Sequence, residues 1–258
     1  MELVNLIGKG AQAEVYEYKG NAVKLFHKEY DKQNIFYEAM INTIIEKTGL
    51  PIPCIKRVFK LNDSWAIEMD LIEGTTLNNL FNRQPCHVEE YINEMVKLQI
   101  KVHSYELSSF FSLKSKLKDK ISRLNIINDN IKIKLLTKLN TLPEDNKLCH
   151  GDFHPLNLIK KDNTIYIIDW IDAASGNPEA DICRTYLIFL LYIKEMAEIY
   201  LESYCINSKK SKDDITKWLP IIAAARLIEN NPNEKDRLIT IINRDDKEGN
   251  YGKAIRER

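Results

Sequence analysis

His150-Gly151-Asp152-Phe153-His154-Pro155-Leu156-Asn157 stands a short apolar stretch ahead of Ile168-Asp169-Trp170. Oxygen-bearing side chains thus recur at the ends of short strands. Asp152 and Asn157 are five apart, close enough for one tight loop, and Ile165 to Ile168 is strand-like in composition. His-Gly-Asp or Asp-Trp alone would read as turn chemistry, because Gly and Asp are common wherever a chain reverses. Both in tandem, with Asn157 between them, point instead to a site. A carboxylate beside a hydroxyl nucleophile can orient it and accept its proton, while an amide oxygen and a second carboxylate can hold Mg²⁺ against phosphates. Asp152 suits the first role; Asn157 and Asp169 suit the second.

Leu6-Ile7-Gly8-Lys9-Gly10-Ala11-Gln12-Ala13-Glu14-Val15-Tyr16, followed by Ala22-Val23-Lys24-Leu25-Phe26, carries a second signal. Apolar residues flank Gly8 and Gly10, so two strands can be joined by a loop whose backbone comes close to a ligand. The third glycine of a full Gly-x-Gly-x-x-Gly is Ala13 here, and a lone lysine is usually a solvated charge. Lys24 escapes that reading because it follows an Ala-Val pair downstream of the glycines. A helix over Gln33 to Lys47 comes next, with Ile35, Phe36, Ala39, Met40, Thr43 and Ile44 at helical spacing. Glu38 on that helix is the expected partner of Lys24; Glu46 is its only other carboxylate.

On these residues the chain resembles the aminoglycoside phosphotransferase and choline kinase group, small-molecule kinases with a protein-kinase-like fold. The resemblance spans most of the chain. Besides the segments above it includes Pro51-Ile52-Pro53, Met69-Asp70-Leu71-Ile72-Glu73-Gly74 and Asp181-Ile182-Cys183-Arg184. It implies an α+β, bilobal fold, with a small antiparallel sheet lobe bearing one helix and a larger, mainly helical lobe. It implies that Asp152 is the catalytic carboxylate, that Asn157 and Asp169 bind Mg²⁺, and that Lys24, fixed by Glu38, meets the phosphates of ATP or GTP under the Gly8 and Gly10 loop. Backbone groups near Asp70 and Ile72 would take the adenine edge, with Met69 behind it, and Asp181 would brace the catalytic loop through backbone N–H groups. Two departures from protein kinases favour a small acceptor. Positions 154 and 155 are His and Pro where a lysine is usual, and only nine residues separate Asp169 from Glu179, too few for a peptide-presenting segment.

Composition agrees with an intracellular enzyme. The 258 residues can bury a sizeable core in one large domain or two lobes. Lys plus Arg and Asp plus Glu both total 37, so no net field points to nucleic acid or an anionic membrane. Cys54, Cys86, Cys149, Cys183 and Cys205 are odd in number and widely spaced, which suggests neither disulfides nor a zinc site. Cys149 adjoins His150, but neighbours in a strand point to opposite faces, which weakens any Cys/His nucleophile. Met1 to Val4 lacks a secretory pattern, and the longest apolar stretch, Tyr186 to Ile193, is too short to span a bilayer. A cytoplasmic location is expected.

Periodicity and turn residues place strands near Leu3 to Ile7, Glu14 to Tyr18, Ala22 to Phe26, Ile55 to Leu61 and Trp65 to Met69, giving a nucleotide-binding lobe over 1–72 and a helical lobe over 73–258. Thr75 and Thr76 offer a helix cap, and Val88 to His103 is amphipathic. Ser115 to Leu142 reads as one or two helices with solvated lysines. Ile182 to Tyr204 and Ile215 to Ile228 read as helices, the cluster around Trp218 as core, and Asn243 to Arg258 as a fraying end. His27, His87 and His103 read as packing or capping residues, and His154 as shaping the loop.

The activity expected is in-line transfer of a γ-phosphoryl group to a hydroxyl of a small molecule. Asp169, Asp172, Glu179 and Asp181, with no Lys or Arg among them, form an acidic floor that suits a cationic acceptor. An aminoglycoside-type acceptor leads choline-like or other metabolites slightly; a nucleotide-binding regulator without turnover and a protein kinase are the readings of other classes.

Overall fold

The computed structural model describes residues 3–107 and 110–244. Of the polar end expected to fray, residues 245–258 lie outside the described residues, as do Met1 and Glu2. The chain gathers into two compact units, Met1–Cys86 with Pro155–Asp172, and His87–His154 with Ala173–Arg258. The first takes in the strand-rich stretch over 1–72 and adds two further segments.

That unit is built on a five-stranded antiparallel sheet. Its strands are β1 (Asn5–Lys9), β2 (Ala13–Tyr18), β3 (Asn21–Phe26), β4 (Ile55–Leu61) and β5 (Ser64–Asp70), in the order β1-β2-β3-β5-β4. Lys19 and Gly20, with φ of 50° and 76°, make the two-residue turn between β2 and β3; positive φ at both positions matches the strands' right-handed twist. Helix α1 (Lys32–Glu46) begins where the Asp31 side chain accepts the Gln33 N–H at 2.9 Å. Its inward face is Ile35, Glu38, Ala39, Ile41, Asn42 and Ile45. Phe36, Met40 and Thr43, expected on the apolar face, are exposed instead. The helix is rotated so that Ile35 and Ala39 join Ala13, Phe26 and Ile67 in the core, which carries Glu38 inward with them. Phe36 then packs edge-on against Trp65, ring centroids 5.3 Å apart.

A second sheet in this unit joins β6 (Thr75–Thr76), β8 (Leu158–Lys161) and β9 (Thr164–Ile167), next to helix α2 (Leu77–Arg83), which Thr76 caps. The Ile167 N–H donates to the Pro51 carbonyl at 2.8 Å, tying the hairpin to the Pro51-Ile52-Pro53 segment.

The other unit is mainly helical. It holds α3 (Val88–His103), α4 (Leu113–Ser122), α5 (Asp129–Thr141), α6 (Pro178–Tyr192), α7 (Lys194–Ser208), α8 (Lys212–Thr216), α9 (Leu219–Arg226) and α10 (Lys235–Arg244), with β7 (Lys147–Cys149) paired to β10 (Ala174–Gly176). Helix α6 is its centre: every residue from Glu179 to Leu191 is buried. Asn177 caps it and Pro178 enters its first turn, where a missing N–H costs nothing. The stretch Ile182 to Tyr204 is two helices rather than one, because α6 stops at Ile193 and Arg237 of α10 donates to the last carbonyls, Leu190 and Leu191. The stretch Ile215 to Ile228 likewise breaks at Trp218, where Pro220 cannot donate back to the preceding turn. Trp218, Leu219, Ile222 and Ala223 to Ala225 are core. One of the lysines read as a solvated face is not: Lys116 donates to the Ala173 carbonyl at 2.8 Å, and just ahead of that stretch Lys114 donates to the Leu142 carbonyl.

Candidate active site

In the first unit, β3 projects Lys24 and Phe26 to one face, and the ammonium lies 5.3 Å from the Phe26 ring centroid. Lys24 Nζ donates to Glu38 Oε1 at 2.6 Å and to Asp169 Oδ1 at 3.3 Å. Burial alone would favour neutral Lys24, but Asp169 and Glu38 outweigh it and hold the ammonium above the ordinary lysine range. Glu46 goes elsewhere, accepting the Ile55 N–H at 2.8 Å. Asn157 and Asp169 flank the open end of the β8–β9 hairpin, where the Ile168 N–H donates to the Asn157 carbonyl at 3.0 Å. Asp169 takes φ 64°, a left-handed conformation that Asp tolerates better than most side chains. Beside it Trp170 is fully buried and donates Nε1–H to the Ile167 carbonyl. The donors collected here are an amide and a carboxylate that is 42% exposed, hard oxygen ligands of the kind Mg²⁺ and Ca²⁺ take.

Gly8 lies near the end of β1 opposite Val15, and Gly10 opens the β1–β2 turn, where its N–H donates to the Ala13 carbonyl at 2.9 Å. Neither has a positive φ, and an added Cβ would meet nothing nearer than 3.5 Å. The fold of this unit therefore does not itself require glycine at either place. Met69 packs against the core, while Asp70 accepts the Cys54 N–H and pairs with Lys56 at 3.1 Å. Ile72, just past the end of β5, makes no backbone hydrogen bond among the described residues.

In the second unit Asp181 of α6 accepts the backbone N–H groups of Gly151 at 2.7 Å and His150 at 3.2 Å, the bracing implied by resemblance. Its Oδ2 also accepts from Gln99 and His103 of α3, at 3.2 and 3.0 Å. His103, read as a packing or capping residue, is a buried partner of this carboxylate. Asp152 is held at both oxygens: Oδ1 accepts from Arg184 Nη2 at 2.9 Å and Oδ2 from His154 Nε2 at 3.1 Å. Burial would push the Asp152 carboxyl up, but His154 and Arg184 prevail and keep it far below the usual carboxylate range. His154 thus contacts the carboxylate directly. Arg184 had no role on sequence grounds; the available signal was a cation on a helix whose neighbours are nearly all apolar, which must find an anion.

The acidic floor is largely spent. Glu179 is buried and pairs with Lys210 at 2.7 Å, Asp181 is buried against the loop, and Asp169 pairs with Lys24. A carboxylate inside a protein needs donors, so Glu179 and Asp181 are committed to partners in the interior, while Asp169, exposed in part, is committed to Lys24. His103, Cys149 and Asp181 bring ligand atoms within 4.8 Å of one another, a proximity their sequence spacing did not suggest. Burial raises the Cys149 thiol well above its ordinary value, which suits neither a metal ligand nor a nucleophile. All five cysteines are free thiols, and no helix among the described residues is long and apolar enough to cross a membrane.

A sequence model of the phosphotransferase enzyme family matches residues 4–213. No curated protein matches the sequence. Among solved structures, a thermostable mutant of aminoglycoside phosphotransferase APH(4)-Ia in its apo form is similar at TM-score 0.72 and 13% identity, covering 96% of each chain. Amicoumacin kinase hAmiN, in complex with AMP-PNP, Ca²⁺ and Ami, is similar at TM-score 0.65 and 15% identity over 93% of this chain and 86% of its own. Choline kinase LicA from Streptococcus pneumoniae is similar at TM-score 0.63 and 18% identity, over 94% and 93%. At such identities the likeness is one of fold, the protein-kinase-like α+β arrangement of a sheet lobe and a mainly helical lobe.

Proposed function

The chain belongs to the phosphotransferase enzyme family and is a small-molecule phosphotransferase, and we propose from that premise that it moves the γ-phosphoryl group of ATP or GTP to a hydroxyl of a small, amine-bearing acceptor. The observation that carries this reading is Lys24 fixed at once by Glu38 and Asp169, with Asn157 at the same end of the hairpin as Asp169. An ammonium so held is a ready partner for phosphate oxygens. Gly8 and Gly10, free of any demand from the fold, leave room for phosphates beside their backbone, and Ile72 has backbone groups to spare for a base edge. Met69 and Asp70 belong to the same nucleotide assignment.

Asn157 and Asp169 would hold the divalent cation, Mg²⁺ in our reading. When bound it neutralises charge on the β- and γ-phosphates. Asp152, ionised and weakly basic, accepts a hydrogen bond from the acceptor hydroxyl and turns its oxygen toward phosphorus. The new P–O bond forms as the bond between the γ-phosphorus and the β,γ-bridging oxygen breaks, the nucleoside diphosphate leaves with that oxygen, and the hydroxyl proton passes late to Asp152. Positioning of this kind contributes about 10²–10⁴-fold. The carboxylates Asp152, Glu229 and Glu234 outnumber the cations Arg184 and Arg226 in one network, which suits a cationic acceptor; among cations an aminoglycoside-like acceptor leads choline-like or other metabolites slightly.

The test follows ADP release from Mg·ATP across aminoglycosides, aminoalcohols and sugars. Release with one acceptor class supports the assignment and names the class. Tight nucleotide binding with no release across the panel supports a regulator instead, and labelled polypeptide a protein kinase.

A further inference from the structure

Asp181 and Arg184 are one turn apart on α6, and they do complementary things to the same loop. Asp181 receives the backbone N–H groups of His150 and Gly151, while Arg184 Nη2 donates to the side chain of Asp152 at 2.9 Å. The same Nη2 donates to Glu229 Oε1 at 3.0 Å. Glu229 in turn receives Arg226 Nη1 at 3.1 Å, and Arg226 donates to both oxygens of Glu234 at 2.6 and 2.7 Å. Both arginine side chains are only 10% exposed. The carboxylates of Glu229 and Asp152 are 36% and 24% exposed, and a part-buried row of ions gains little net stability, because desolvation and solvent screening offset the attraction. What such a row does supply is direction, since a guanidinium anchored on one carboxylate has little freedom in how it meets the next.

We propose that Arg184 is a positioning residue for the phosphoryl transfer, locking the rotation of the Asp152 carboxylate together with His154, and that Glu229, Arg226 and Glu234 fix the guanidinium in its turn. This rests on the reading of Asp152 given above. With Oδ1 engaged by Arg184 and Oδ2 by His154, the carboxylate cannot turn without giving up a charge-assisted bond, so its remaining lone pairs keep one direction. Losing that lock leaves nucleotide binding intact and slows turnover.

The experiment uses the full chain with Mg·ATP, water serving as the acceptor, and compares wild type with Arg184→Met, Arg184→Lys, Glu229→Gln and Asp152→Asn. Turnover, KM for ATP and the ¹³C resonance of the Asp152 carboxylate, assigned by its loss in Asp152→Asn, are read for each. Arg184→Met is expected to lower kcat about 10²-fold, the usual consequence of a small misplacement, with KM for ATP within about twofold and a broadened or doubled resonance. Arg184→Lys should recover much of the rate, and Glu229→Gln should fall between. Wild-type kcat and one sharp resonance in Arg184→Met overturn the inference. If Arg184→Met does not fold, Arg184→Lys and Glu229→Gln decide by the same measures, and if wild type hydrolyses no measurable ATP the resonance decides. Full turnover by Asp152→Asn removes the reading of Asp152 itself, whereas an inactive Asp152→Asn beside a fully active Arg184→Met removes only the role of Arg184.

Discussion

Asp152 and Asp169 are both aspartates in short motifs, yet their surroundings give them different work. Asp152 meets two donors, which hold its carboxyl far below the usual range. Its lowered value means that it supports folding above the unfolded carboxylate range and loses that support only as pH falls through the folded value. Its ionisation therefore puts no acid limb on kcat above about pH 5, given an unperturbed Asp near 3.9. Asp152→Asn should cut kcat by about 10²–10⁴-fold while a titration with Mg·ATP shows nucleotide binding little changed; unchanged turnover would take Asp152 out of the mechanism. For Asp169 the left-handed backbone decides which substitution is informative. Asp169→Asn and Asp169→Ala should both weaken metal-dependent nucleotide binding. The alanine variant should be about 1 kcal/mol less stable than the asparagine variant, because a Cβ without a local hydrogen-bonding group is strained at positive φ; equal urea midpoints for the two would refute that.

Elements bring partners together that no local pattern specifies. Strand β3 and helix α1 meet so that Lys24 and Glu38 form a pair in which Glu38 is 3% exposed. Burial pushes the Glu38 carboxyl up, Asp169 adds to this, and Lys24 opposes it. Lys24→Met should therefore destabilise the chain by about 3 kcal/mol near neutral pH, the cost of stranding a buried charge. With Glu38 raised still further, the folded protein holds a proton that the unfolded chain gives up. The variant is then most stable below the unfolded carboxylate range and loses stability as pH rises through the folded Glu38 value. Urea midpoints between about pH 4 and 8 measure this, and a deficit independent of pH would contradict it. Adding Glu38→Met should restore most of the loss.

For the molecule as a whole, all residues assigned to nucleotide and metal fall in one compact unit made of two chain segments, while Asp152 belongs to the other; the chain passes between units at His154–Pro155. Nucleotide with its cation should accordingly stabilise the fold by mass action. At 100 times its Kd, Mg·ATP should add about 2.7 kcal/mol, and EDTA should abolish most of that gain in a thermal melt. A Tm that ignores both would argue against a metal-dependent nucleotide site.

Much of this was legible along the chain. Strands over Ala22 to Phe26 and Ile55 to Leu61 and the helix over Val88 to His103 follow from side-chain period and turn residues, which act within a few neighbours. Asn157, Asp169 and the glycines, proposed as cation and phosphate contacts, were singled out for the same reason, since that proposal is a matter of residue type and short spacing. Tertiary packing settled the remainder. Which face of α1 turns inward, whether Glu179 and Asp181 face solvent, and which anion Arg184 meets all depend on segments distant in sequence. Only burial makes an unpaired charge expensive, so only the packed chain could choose the partners.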